Sequence, residues 1–348
     1  MNATTPTAIS VRLLCLLIVI SALACTTQGG NALPRGERLN GVCLVAPSEP
    51  LSASDMRPLQ EVGANWVAVV PYAFSYGTGD PRIHYDHERQ WWGERKEGVV
   101  MTIRYAQEAG LKVMLKPHVW VRGQGWPGDF TLDSEAKWQQ WEQEYARYLR
   151  TITQIADSMN VEMICIGTEY RHAVVERPTF WRELIQEIRQ HYQGQLTYAA
   201  NWDNFENVTF WDDLDYIGID AYWPLCERRT PTSATLAAGW KQPFRQISRV
   251  QQKYQKPVLF TEYGYESRDY ATRGHWQQND DTKVVNLAAQ QNAYQVLYDT
   301  FWDQPWFAGG FLWKWFPNHV EAGGEAHTGY TPQNKPALAV IRKNYQRP

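Results

Sequence analysis

The sequence predicts an α/β fold, a (β/α)8 TIM barrel in a single domain, and three observations point there. Short runs rich in Val, Ile, Leu and aromatics alternate with longer segments of helical periodicity, as in a parallel sheet covered by helices. There are eight such runs, the number that closes a barrel. The runs end in polar or aromatic residues, where a barrel places its chemistry.

The runs, in order, are Leu39–Ala46, Trp66–Phe74, Lys112–Trp120, Glu162–Tyr170, Leu196–Trp202, Tyr216–Trp223, Pro257–Tyr265 and Gly309–Trp315. Between them the periodicity predicts helices over Asp55–Val62, Gly98–Ala109, Ser134–Met159, Thr179–Tyr192, Thr235–Tyr254 and Lys283–Trp302, with a closing piece at Pro336–Tyr345. Asp133 or Ser134 supplies a capping oxygen ahead of Glu135. The connection after the fifth run is only weakly helical. No internal repeat and no long linker divides the chain.

Ahead of the first run, Arg12 precedes the apolar stretch Leu13 to Ala24 and then Cys25. That stretch is short for a bilayer span and predicts an export signal over residues 1–24. Ala22-Leu23-Ala24-Cys25 admits two cleavage readings, an A-x-A site or a loose lipobox whose Cys25 is acylated. The lipobox is favoured because Thr26 to Asn31 then begins a polar tether, residues 25–37; an uncleaved N-terminal anchor is the third option. The expected location is outside the cytoplasm, as a cell-envelope lipoprotein or a secreted or periplasmic protein. Residues 38–348 then form one catalytic domain, expected to act as a monomer.

A formal net charge of -3, with both signs mixed along the chain, gives no basic stripe and argues against a nucleic-acid partner. The 17 Trp, 19 Tyr and 11 Phe exceed what a core normally asks for, and flat rings with polar edges suit the C–H faces of sugars. Cys43, Cys165 and Cys226 lack metal-ligand spacing and are expected as buried thiols, with a disulfide through Cys226 the lesser option. His84, His87, His118 and His172 also lack ligand spacing, so no metal and no cofactor are expected.

Cleavage of a glycosidic bond needs an acid for the leaving oxygen and, in retaining enzymes, a second carboxylate about 5–5.5 Å away. Glu169 and Glu262 suit these roles. Each follows an apolar run, Met163 to Gly167 and Val258 to Phe260, with one threonine between, and they end the fourth and seventh strands of one predicted barrel mouth. A single Glu at such a place could equally be the partner of a nearby Arg, but a pair at matched strand ends argues for a site.

Ile166-Gly167-Thr168-Glu169-Tyr170, Phe260 to Tyr265, Leu115-Lys116-Pro117-His118 and Ala199-Ala200-Asn201-Trp202, taken together in this order, resemble glycoside hydrolase family 113. The resemblance runs from about Leu39 to the closing Trp-rich strand. It implies a retaining barrel enzyme of clan A, cleaving β-1,4-mannosidic linkages in mannan or glucomannan. By position it implies Glu169 as acid/base and Glu262 as nucleophile. Where the wider clan often carries Asn before the acid/base, in contact with the sugar 2-hydroxyl, this chain has Thr168, and Asn201 is the candidate replacement. Tyr222 resembles the clan tyrosine that holds the nucleophile, and Trp313 resembles the aromatic floor of the cleavage subsite.

Other residues are candidates by their place at strand ends. Trp202 could form a neighbouring wall, Tyr72 lies near the end of the second run, and Lys116 and His118 could donate to sugar hydroxyls. Ordinary packing is the competing reading for Tyr222, Trp202 and Trp313, and a satisfied structural role for His118. The same mechanism on another β-glycan, glucan or xylan, is the alternative within enzymes. From another class comes a non-catalytic surface barrel that binds glycan through exposed Trp126 and Trp223.

Gly123-Gln124-Gly125-Trp126-Pro127-Gly128 matches G-x-G-x-x-G in form only. It contains Trp-Pro, opens no helix and is expected to line the substrate cleft. No G-x-S-x-G elbow occurs, against an α/β-hydrolase esterase.

Overall fold

The computed structural model describes residue 1 and residues 38–77, 79–123, 125–274 and 283–347. The predicted signal, the tether and Cys25 lie outside the described residues. Eight parallel strands close a barrel, as predicted. These are β1 (Leu39–Leu44), β2 (Trp66–Val69), β4 (Lys112–Leu115), β6 (Met163–Thr168), β7 (Gln195–Asn201), β8 (Ile217–Asp220), β9 (Val258–Tyr263) and β10 (Phe307–Trp315). Around the cylinder the order is β1-β10-β9-β8-β7-β6-β4-β2.

Two predicted runs each divide into a barrel strand and a second strand outside the barrel, and proline is the reason. The second and third runs break at Pro71 and Pro117, residues with no N–H to give to a ladder. Beyond the breaks the chain continues as β3 (Tyr72–Ser75) and β5 (His118–Val121), which pair with each other as a separate two-stranded parallel sheet. Its register sets Tyr72 opposite His118.

Seven helices fall where periodicity places them: α1 (Arg57–Val62), α2 (Lys96–Glu108), α3 (Glu135–Ser158), α5 (Pro178–His191), α6 (Ser233–Tyr254), α7 (Leu287–Phe301) and α8 (Ala337–Tyr345); a short α4 (Ala173–Glu176), one turn long, was not predicted. Ser134 caps α3, its side chain accepting from the Lys137 N–H. The weakly helical connection after β7 contains two 3-10 turns, Phe205–Asn207 and Trp211–Asp213.

Side chains alternate across each strand, so the barrel has two cores. Leu39, Cys43, Trp66, Ala68, Met114, Met163, Cys165, Leu259 and Phe311 fill one compact cluster, the lumen of the cylinder. Val42, Val67, Val113, Ile164 and Ile166 face the other way, into the cluster shared with the helices. Cys43, Cys165 and Cys226 are free thiols, the first two buried, so the disulfide option falls away. Among the described residues no helix is long and apolar enough to cross a membrane.

One part of the outer core braces the fourth strand. Trp141 and Tyr145 of α3, Tyr170, Trp181 of α5 and Tyr198 of β7 pack as contacting rings, and all five are buried. Tyr145 donates its hydroxyl to the Ile166 carbonyl at 3.0 Å, and the Tyr170 N–H donates to the Tyr198 hydroxyl at 2.8 Å. Two buried phenols thus hold the backbone on either side of Thr168 and Glu169.

Candidate active site

The C-terminal ends of the strands open into a cleft of about 1150 Å³. Its lining includes Glu169, Glu262, Tyr72, His118, Asn201, Trp202, Tyr222 and Trp313, eight of the nine residues proposed from sequence to act on or hold substrate. The ninth, Lys116, is a correction. Period two carries the chain from Met114 in the lumen to Lys116 above it, so the side chain turns into the barrel and is fully buried. Its ammonium contacts Glu262 Oε1 and lies 3.4 Å from Asp220 Oδ1. It is a counter-charge beneath the cleft and not a donor to sugar.

Glu262 is surrounded by groups that favour its ionised form. Lys116 contacts Oε1, His118 Nε2 stands 3.4 Å from the same oxygen, and Tyr222 donates its hydroxyl to Oε2 at 2.8 Å. Burial alone would push this carboxyl up. The Lys116 charge, and then His118, outweigh it and hold the pKa at about 2. Burial lowers the His118 pKa, so near neutral pH its imidazole is uncharged.

Glu169 has the opposite surroundings. Burial, then the charges of Asp220 and Glu262, raise its pKa well above the ordinary carboxylate value. Among the described residues its close side-chain donor is the Trp126 indole, whose Nε1–H meets Oε2 at 2.6 Å. The residue itself sits at φ 56°, a left-handed conformation that costs a non-glycine residue about 1–3 kcal/mol and persists where its surroundings over-determine it. The Glu169 N–H donates to the Ala199 carbonyl at 2.8 Å, which ties that turn to β7.

Asp220 was not among the residues picked from sequence. It ends β8 fully buried, accepting from Thr261 Oγ1 at 2.7 Å, and burial with the Glu262 charge pushes its pKa up to about 7. The signal was present, since an acid directly after Ile217-Gly218-Ile219 has little reason to be there unless paired. Tyr330, which lines the cleft from the loop after β10, gave no signal, because loop residues carry no periodicity.

One wall is aromatic. Tyr72 and His118 lie 5.1 Å apart between ring centres, and His118 stacks parallel to Trp313 at 5.9 Å. On β7, the neighbour of the strand that leads to Glu169, Asn201 and the following Trp202 line the cleft beside Thr168, whose buried hydroxyl has no partner among the described residues. Trp126 lines the cleft half-buried. Trp223, expected on the surface in the glycan-binding alternative, is instead buried against Trp202, Phe205 and Trp240. The apolar size of its ring accounts for the difference, because the space between β8 and α6 takes it whole.

Two carboxyl groups pushed to opposite protonation states, above a floor and wall of sugar-sized rings, can protonate a glycosidic oxygen while a second oxygen acts on the anomeric carbon. The class that this fold and site define is the glycoside hydrolases. The model of Glycoside Hydrolase Family 113 matches residues 47–335, and the chain belongs to that family. Among solved structures, the family 113 β-mannanase of Alicyclobacillus acidocaldarius in complex with ManMIm is 26% identical. That match covers 88% of this chain and 97% of the other, with a TM-score of 0.76. Two further structures of family 113 β-1,4-mannanases, one a complex, are 26% and 27% identical, each covering 90% of this chain and 100% of the other at a TM-score of 0.76. The comparison with curated proteins gives no match.

Proposed function

We propose that this glycoside hydrolase cleaves β-1,4-mannosidic linkages in mannan or glucomannan by double displacement, with retention. The observation that carries the mechanism is the contrast between the carboxyls. Glu262, held ionised by Lys116 and Tyr222, attacks the anomeric carbon. Glu169, held protonated, gives its proton to the departing sugar and then takes one from the incoming water. The relatives' β-1,4-mannanase activity supports the choice of glycan. Tyr72, His118, Asn201, Trp202 and Trp313 hold the sugar, His118 and Asn201 by hydrogen bonds and the rings by stacking.

Incubation with mannan, glucomannan, glucan, xylan and mannooligosaccharides, with product sizing and anomer analysis, tests the reading. Release of β-configured mannooligosaccharides is expected. Release from glucan or xylan alone would replace the substrate, α-configured products would overturn retention, and binding without reducing ends would leave a glycan-binding barrel. In the same experiment Glu169→Ala is expected to lose roughly 10²–10⁴-fold on polysaccharide. It should still form the glycosyl-enzyme from aryl glycosides with good leaving groups.

We also propose that the chain works outside the cytoplasm as a monomer, after cleavage of the segment ending at Ala24. The short apolar run behind Arg12 supports export. Mass spectrometry of the mature N-terminus and light scattering check this: a diacylglycerol mass on Cys25 marks a lipoprotein, and retention of Met1 ends the proposal.

A further inference from the structure

The loop from Gly123 to Gly128, which only resembles a nucleotide-binding motif, has a physical reason for its glycines. Gly123 and Gly125 both stand at φ 81°, a conformation glycine adopts without strain. A Cβ on Gly128 would meet the Trp126 ring at 2.1 Å, so only glycine lets that indole fold back over its own loop. Folded back, the ring delivers Nε1 to Glu169 Oε2 at 2.6 Å.

From the other side, Arg171 clamps the ring. Its guanidinium lies over the indole, 5.0 Å from the ring centre, and is ion-paired with Asp129 at the end of the loop and with Asp203, 3.2 Å away, after β7. Arg171 follows Glu169 by two residues, and its N–H donates to the Glu169 carbonyl at 2.8 Å. Loop, clamp and acid/base are thus one connected unit.

An indole N–H donates and cannot accept. The oxygen it binds must therefore offer a lone pair, whether the carboxyl is ionised or neutral. We propose that Trp126 is a positioning residue for the acid/base: by occupying Oε2 it confines the transferable proton of Glu169 to Oε1, the oxygen left for the glycosidic bond.

The inference rests on Glu169 as acid/base in the reading above. The charges facing Glu169 are Lys116 just after β4, Asp220 from β8 and Glu262 from β9, and the substitutions proposed here alter none of them. Removing the donor takes a hydrogen bond from the ionised form and leaves the burial and the like charges in place. Glu169 should then hold its proton to higher pH.

The sharpest test replaces Trp126 with β-(3-benzothienyl)alanine, which keeps the bicyclic ring and loses the N–H. Trp126→Phe serves as the ordinary variant. The alkaline limb of kcat/KM on an aryl glycoside is expected to move up by about one pH unit or more, with KM nearly unchanged in the isosteric variant. Arg171→Met should move the limb the same way by less. Carbon NMR titration of labelled glutamate, with Glu169→Gln to assign the signal, reads the same shift without substrate. It separates failure of this inference from failure of the glycan assignment. If the NMR titration and the alkaline limb both stay in place while KM rises, Trp126 is a stacking surface only and the proposal is overturned.

Discussion

Replacing Glu262 by Ala is expected to lower turnover by roughly four to six orders of magnitude, the loss typical of removing a covalent nucleophile. The substitution removes the attacking oxygen and leaves the protein's proton donor in place, so the expected defect lies in kcat and not in KM. The space left beside Lys116 and His118 admits a small anion, and Lys116 supplies a positive charge to hold it. Azide should restore reaction on an aryl glycoside with a good leaving group and give the glycosyl azide of inverted configuration. A variant with near-native activity on polysaccharide, or one whose azide product retained configuration, would remove Glu262 from the role of nucleophile.

Lys116→Met should be nearly as damaging, for a different reason. The side chain keeps its length and loses its charge, leaving Glu262 and Asp220 as like charges in a buried space. Breaking a buried pair by removing one partner costs roughly 3–5 kcal/mol, which urea denaturation would read directly. Activity should change with pH as well. In the native protein Glu262 is depressed from 4.5 to about 2, so the stability its ionised form contributes is full above about 4.5 and fades as pH falls towards about 2. Without Lys116, burial acts unopposed by its charge, the carboxyl stays protonated to higher pH, and the acid limb of kcat/KM moves upward. An unchanged denaturation midpoint together with an unchanged acid limb would make Lys116 a bystander.

Lys116 also marks how far the sequence could be read. All eight barrel strands were legible because a parallel strand buried on both faces is a continuous apolar run, and few other structures produce one. Glu169 and Glu262 were legible as residues of the cleft because a carboxyl at the end of such a run is out of place unless it is paired or lines a site. What stood beyond the runs was harder. Lys116 and His118 are two positions apart at the end of the same run, and polarity alone does not say which meets the lumen and which the cleft. Pro117 lies between them and starts a second sheet, and a run of apolar letters does not show that the strand has changed partners. Trp126 reaches Glu169 across 43 positions from a loop, where glycine permits several paths and only the fold selects one.

The small β3·β5 sheet is built apart from the cylinder. Its strands hydrogen-bond to each other beyond Pro71 and Pro117, while the eightfold ring closes through β2 and β4 below. It carries Tyr72 and His118 at its base and Trp120, about half exposed, further out. The reach of the cleft along a glycan chain is therefore adjustable at the outer sheet, by grafting or lengthening it, while the ring that positions the two carboxyls keeps its own hydrogen bonds. His118, at the base of that sheet, stands beside Glu262, so it is the part of the sheet beyond His118 that can change without touching the groups around the two carboxyls.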